Sequence, residues 1–373
     1  MHSLGRITQC AAAGLIFASG VAHADFSPVG DMEYARVGAR SVRLADDSVL
    51  VIGGADNASP LASAERFDPS GGTFSKTIPM HDPRDTAIAV RLADGRVLVA
   101  GGFTMAGLSR TAEIFDPSAA AFEATGSMEF GRVSAVAAAL TDGRVLIAGG
   151  SNVAPASAEL FDPATGTFAP TGSMSTGRDA AVGAPLPDGR ILVAGGAGED
   201  GALASAEIFD PLSESFVPTG SMSVPRVNAR AVALEDGRIL VVGGYANSHY
   251  HATAEVFDAE AGAFSPAGSM AAGRMSPVAA RLADGGVLVA GGSDAVGARA
   301  DAEIFDPVDG AFGFAGTMAA AREAATATLL SDGRVLVAGG ADFFDEGAWR
   351  SAEVYGAGIP DPIFVDGFER LAD

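Results

Sequence analysis

Two stretches of the 373-residue chain gather side chains able to grip or react with a ligand. Tyr245, His249, Tyr250 and His251 fall within YANSHYH, and Phe343, Phe344, Asp345, Glu346, Trp349 and Arg350 within FFDEGAWR. Aromatic and imidazole rings beside polar groups stack on sugar rings or anchor a peptide side chain. Packing of two long loops on themselves is the other reading. His249 and His251 make an H-x-H pair, but His81 is the only further histidine after residue 24. That is a thin donor set, so neither a metal nor any other cofactor is expected. Paired carboxylates of the kind glycoside hydrolysis uses have candidates in Glu199, Asp200, Asp294, Asp301, Asp345 and Glu346. No spacing selects two of them, and acids on solvated loops ordinarily serve solubility. No G-x-S-x-G elbow for a serine nucleophile is present.

What positions these loops is a repeat. Gly-Gly pairs stand at residues 53, 101, 149, 195, 243, 291 and 339, 48 residues apart with one step of 46. Such a period marks units that bury their faces on one another. Two charged residues keep the same register: Arg36, Arg84, Arg132, Arg178, Arg226, Arg274 and Arg322, and Glu65, Glu113, Glu159, Glu207, Glu255, Glu303 and Glu353. Sevenfold recurrence argues for structural Arg–Glu hydrogen bonding; a ring of guanidinium groups drawing an anion to a channel mouth is the alternative.

Each unit reads as four strands, which in the second are Thr86 to Leu92 (a), Val97 to Ala100 (b), Ala112 to Phe115 (c) and Ala121 to Ala124 (d). Asp94-Gly95 suits a two-residue hairpin between a and b, and Asp116-Pro117 opens the c–d turn. The VLVA of strand b is apolar without alternation, as expected of a sheet covered on both faces. Four antiparallel strands per unit, stacked face to face, describe the blades of an all-β, seven-bladed β-propeller. By strand direction, the b–c and d–a loops share one face and the a–b and c–d turns the other. The b–c loops are the variable ones, and variable loops on a repeated scaffold suit recognition.

The Gly-Gly doublet, the Glu-x-Phe-Asp-Pro run, the aromatic that follows it (Phe74, Phe122, Phe168, Phe216, Phe264, Phe312) and the Met-x-x-x-Arg step resemble kelch repeats over about residues 26–355. Phe stands where that family often has Tyr and Trp. The resemblance extends to copper oxidases similar to galactose oxidase, which use a cysteine-crosslinked tyrosine with histidine ligands. Cys10 is the only cysteine here, so that chemistry is not expected in the form the family performs it.

The chain ends carry two more expectations. Phe26 to Met32 matches a strand d with no a, b or c before it, while Glu353-Val354-Tyr355 matches a strand c with no d after it. The first segment should therefore complete the last blade and hide both free edges. Residues 1–24 read as a signal peptide: Arg6, an apolar run from Ala11 to Val21, and Ala22-His23-Ala24 for cleavage. Eleven apolar residues are too few to cross a bilayer of about 30 Å. A secreted or periplasmic protein follows, comprising a propeller over residues 25–355 and a tail over residues 356–373 whose IFVDGFE resembles a short tail of exported bacterial proteins; a strand or plug packing on the ring is the other reading of that tail. A net charge of -22 repels phosphate backbones and anionic lipid, so nucleic acid and membrane insertion are not expected. The expectation is a monomeric, non-catalytic binder of a glycan or a protein or peptide partner, with a carbohydrate-active hydrolase as the alternative.

Overall fold

The computed structural model describes residues 25–343 and 347–356. The expected signal peptide, nearly all of the expected tail, and Phe344, Asp345 and Glu346 lie outside these residues. Among the described residues there is no helix, and hence none long and apolar enough to cross a membrane.

Seven four-stranded antiparallel sheets form a β-propeller, numbered here as blades 1 to 7 along the chain. Blade 2 comprises Ile88–Arg91, Val97–Ala100, Ala112–Asp116 and Ala121–Ala124 as strands a to d. Blade 7 takes Thr326–Leu329, Val335–Ala338 and Ala352–Gly356 from one end of the chain and Asp25–Pro28 from the other. The ladder pairs Phe26 with Tyr355 and Pro28 with Glu353. The strands a form a closed inner ring, with Thr326–Leu329 against Arg40–Arg43.

Strand b explains why its sequence does not alternate. In blade 1, Val49 and Val51 pack on blade 7, while Leu50 and Ile52 pack on blade 2. Both faces of the strand lose contact with water, and complete burial of each such side chain stabilises by about 1.5–3 kcal/mol. Farther out, the Phe of strand c meets the aromatic of strand d, as in Phe115 and Phe122 with ring centroids 4.9 Å apart. The closing blade repeats the pair with Phe26 and Tyr355 at 5.0 Å.

The a–b turn is one residue longer than the Asp-Gly dipeptide suggests. The Leu92 N–H donates to the Arg96 carbonyl, leaving Ala93-Asp94-Gly95 as a three-residue loop. Of these only Gly95 has positive φ, at 92°. A type I turn followed by one left-handed residue meets the strand twist as well as a two-residue turn does. Asp94 then accepts the Arg96 N–H at 3.0 Å and its Nε–H at 2.8 Å.

Candidate functional site

The recurring Arg and Glu form one clamp per blade, within the blade. Arg178 is 1% exposed and Glu207 also 1%. The Arg178 guanidinium donates to the Gly195 carbonyl at 3.0 Å, the Ser205 carbonyl at 2.8 Å and the Glu207 carboxylate at 3.1 Å. The other oxygen of Glu207 accepts the Ser175 N–H at 2.7 Å. Each clamp thereby fastens the d–a crossover to both roots of a b–c loop. The shortest Arg–Glu contact is 2.6 Å, in Arg36–Glu65, and all seven pairs are made. Burial pulls the guanidinium pKa of Arg36, Arg178, Arg226 and Arg322 down, and the facing Glu resists it. At Glu113 burial favours the neutral acid, but the N–H of His81, the His81 ring, Arg84 and the N–H of Asp82 outweigh it and hold the carboxyl low. With its fork engaged by its own blade, the clamp arginine is not a free guanidinium at a channel mouth.

The same arginine also ties neighbouring blades together. The Arg226 carbonyl accepts the N–H of Gly196 in the preceding blade at 2.8 Å. Gly195 before it has φ of 66°, and a Cβ there would lie 2.6 Å from the Arg226 carbonyl oxygen. Side-chain-free residues are needed at both positions.

Above these clamps the b–c loops are more regular than their sequences suggest. Five fold into small hairpins: Phe103–Thr104 with Gly107–Leu108, Ala197–Gly198 with Gly201–Ala202, Tyr245–Ala246 with His249–Tyr250, Ser293–Asp294 with Gly297–Ala298, and Ala341–Asp342 with Gly347–Ala348. In blade 5, Tyr245 and Tyr250 face each other across the hairpin with ring centroids 4.8 Å apart, both half-buried. His249 is exposed; His251 is partly buried beside Arg226, and burial first, then that positive charge, lowers its pKa. In blade 7, Phe343 is 64% exposed. Trp349 is turned inward, its indole N–H donating to the Ala321 carbonyl at 2.9 Å while its own carbonyl accepts the Arg36 N–H. Blade 6 separates these two groups in ring order.

The blade 6 loop engages two of the candidate acids. Arg299 contacts Asp294 at 2.5 Å and Asp301 at 2.8 Å. Burial works against both carboxylates, but at Asp294 the Val296 N–H and Arg299, and at Asp301 Arg299 and Arg274, outweigh it and hold both pKa values low. A general acid needs a raised pKa, so this pair is poorly suited to glycoside cleavage. Among the described residues no three His, Cys, Asp or Glu side chains converge as metal ligands, and the sole cysteine lies at position 10. The described side chains do not fit a copper centre with a cysteine-crosslinked tyrosine.

Two basic residues escaped the sequence reading. Position one of strand a is Ile88, Val136, Val182 and Val278 in four blades and Thr326 in another, but Arg40 in blade 1 and Arg230 in blade 5. A departure from the repeat consensus at an otherwise mostly apolar position was the available signal. Both line a cavity of about 350 Å³ on the propeller axis, with Ser41, Asn228, Ser276 and Thr326 also in its wall. Its rim is a ring of left-handed residues, one per blade, that includes Gly38, Ser276 and Ala324. They bond from blade to blade: the Gly38 N–H donates to the Ala324 carbonyl at 3.1 Å, and the Ala324 N–H to the Ser276 carbonyl at 3.2 Å.

The Kelch motif family matches residues 225–271, the crossover and strands of blade 5. No curated protein matches the sequence. Among solved structures, a fungal alcohol oxidase described as a member of the AA5 family in complex with copper superposes with a TM-score of 0.75 at 18% identity. The match covers 90% of this chain and 76% of that one. YjhT superposes with a TM-score of 0.61 at 14% identity, over 77% of this chain and 99% of that one. At these identities the likeness is one of fold.

Proposed function

Because this chain is a seven-bladed kelch-repeat propeller, we propose that it is an exported, non-catalytic binding protein whose b–c and d–a loop face holds a protein partner. A propeller of this kind suits a binding or scaffold role. The observation that carries the finer reading is the distribution of exposed large apolar side chains. Tyr34, Phe103, Met105, Val153, Val296 and Phe343 project from the loop face, with Val153 at 74% and Val296 at 87% exposed. The opposite face has Leu212 and Val308, each alone at the tip of a c–d turn, and Ile78, Val217 and Phe314 stand singly on or just after the outer strands d of three different blades. Apolar groups gathered on one face mark an interaction surface. The most exposed of these tips, Met105, Val153 and Val296, are aliphatic, which favours a protein over a glycan, although Tyr34, Phe103 and Phe343 also offer exposed rings; Tyr245 and Tyr250 pack on each other. The paired state of Asp294 and Asp301 favours binding over hydrolysis.

Export rests on residues 1–24, and Asp25, just beyond Ala24, is already in the closing strand. The test is a peptide and glycan array probed with the secreted protein, beside Met105→Asp, Val296→Asp and Leu212→Asp variants. The expected result is a peptide signal that the first two variants lose and the third keeps. Equal signals from all three would overturn the loop-face assignment, and a glycan-only signal would overturn the protein partner.

A further inference from the structure

We propose that the axial cavity of the propeller is a binding site for a small dianionic oxyanion, clasped between Arg40 and Arg230. The two arginines occupy equivalent positions on blades 1 and 5, which in a ring of seven stand on nearly opposite walls, and both line the same cavity. Neither makes an ion pair among the described residues. Among the described residues their guanidinium groups hydrogen-bond only to the carbonyls of the residues just before them: Arg40 to Ala39 at 3.5 Å and Arg230 to Ala229 at 3.2 Å. The clamp arginines of the same blades, Arg36 and Arg226, by contrast engage both terminal nitrogens, with an ion pair to Glu65 and Glu255. The protein therefore encloses two planar, five-donor groups and leaves most of those donors facing a shared space.

Electrostatics supports the same reading. Burial, then repulsion from Arg40, lowers the Arg230 pKa to about 10. Burial also lowers that of Arg40, against the attraction of Asp85. Asp85 does not hydrogen-bond to Arg40 and is itself pushed up by burial, against Thr86 and the charge of Arg40. Two enclosed cations that repel one another are stabilised by an anion between them, and the guanidinium fork matches the oxygens of a carboxylate or phosphate. A dianion balances both charges. Ser41, Asn228, Ser276 and Thr326 add hydroxyl and amide groups to the wall, and a cavity of about 350 Å³ admits a ligand of malonate or phosphate size. Residues of the d–a crossovers such as Gly38 and Ser276 also line this cavity, but the site is argued without the exposed loop tips and stands or falls without them.

Calorimetric titration of the full chain in low-chloride buffer tests the proposal, with malonate and inorganic phosphate as dianions, acetate as monoanion and glycerol as neutral probe. The expected result is one saturable site for malonate or phosphate with Kd below about 1 mM and at least about tenfold weaker acetate binding. Which of the two binds tighter separates a carboxylate from a phosphate ligand. Arg40→Met and Arg230→Met should each weaken binding by at least about tenfold, while Arg96→Met in an a–b turn should not. In anion-free buffer the two channel variants should melt no lower than the parent, because they remove unpaired charge. Should either variant fail to fold, crystals soaked in selenate decide, with an anomalous peak between the two guanidinium groups expected. No saturable dianion binding, unchanged binding in both variants, or selenate seated elsewhere would overturn the site.

Discussion

The residue that explains most of this architecture is the clamp arginine. Its side chain holds the b–c loop of its own blade and its main chain holds the preceding blade, so one position serves both loop geometry and blade stacking. Removing a partner from a buried ion pair strands the other charge, at a cost of about 3–5 kcal/mol. Glu207→Ala should therefore lower the urea midpoint steeply while loop-face binding per folded molecule is unchanged. A small stability loss with weakened binding would instead assign Glu207 to a ligand. Trp349 offers a milder comparison. Trp349→Phe removes the indole hydrogen bond to Ala321 and should cost about 1 kcal/mol, measured by the same unfolding curve.

At the scale of strands and turns, the glycine doublet and the Asp-Gly turns set geometry that side chains cannot. Gly195→Ala asks an alanine to adopt φ of 66° and to press its methyl against the next blade's carbonyl. A loss of about 1–3 kcal/mol is expected from thermal unfolding. The a–b turns bring a pH dependence. The Arg96 side chain holds the pKa of Asp94 below its ordinary value. At Asp142, Asp236 and Asp332 burial opposes the charged form, but the arginine two residues on outweighs it with its side chain and N–H. A depressed folded-state pKa contributes stability that is present above the unfolded value, about 3.9, and is lost as pH falls through the folded one. Melting temperature should thus be level near neutrality and decline below about pH 4. An Asn substitution at all four aspartates should flatten that decline.

These turns also show what was legible. Dipeptides such as Asp94-Gly95 announced a tight a–b connection because left-handed backbone has a residue preference, but loop length depends on how the strands twist together and not on the dipeptide. The small hairpins within the b–c loops were not legible, since two-residue strands carry no periodicity. Exposure at Phe343 and the inward turn of the half-buried Trp349 depend on tertiary contacts that neighbouring residues do not encode. Arg40 and Arg230 were visible only as exceptions to a column of apolar residues.

Over the whole molecule, the ring is closed by pairing Asp25–Pro28 with Ala352–Gly356. Seven registers of Arg, Glu and Gly-Gly made the blade number readable, and the unmatched strand d at one end with the unmatched strand c at the other made the closure readable. Deleting Phe26 to Met32 exposes the edge of the last sheet, strips Tyr355 of its partner ring and removes Met32 from the core between blades 7 and 1. Differential scanning calorimetry should show a melting temperature many degrees lower, or no cooperative transition. An unaltered thermogram would mean the blade is stable with three strands.

Because Asp25 lies directly across from Gly356, the circle has no structurally privileged starting point. A short linker joining those two positions, with new ends cut into the solvent-facing corner at Ala259 and Glu260, describes a permuted gene. Its product would reach the same fold with the seam relocated to another sector of the wheel.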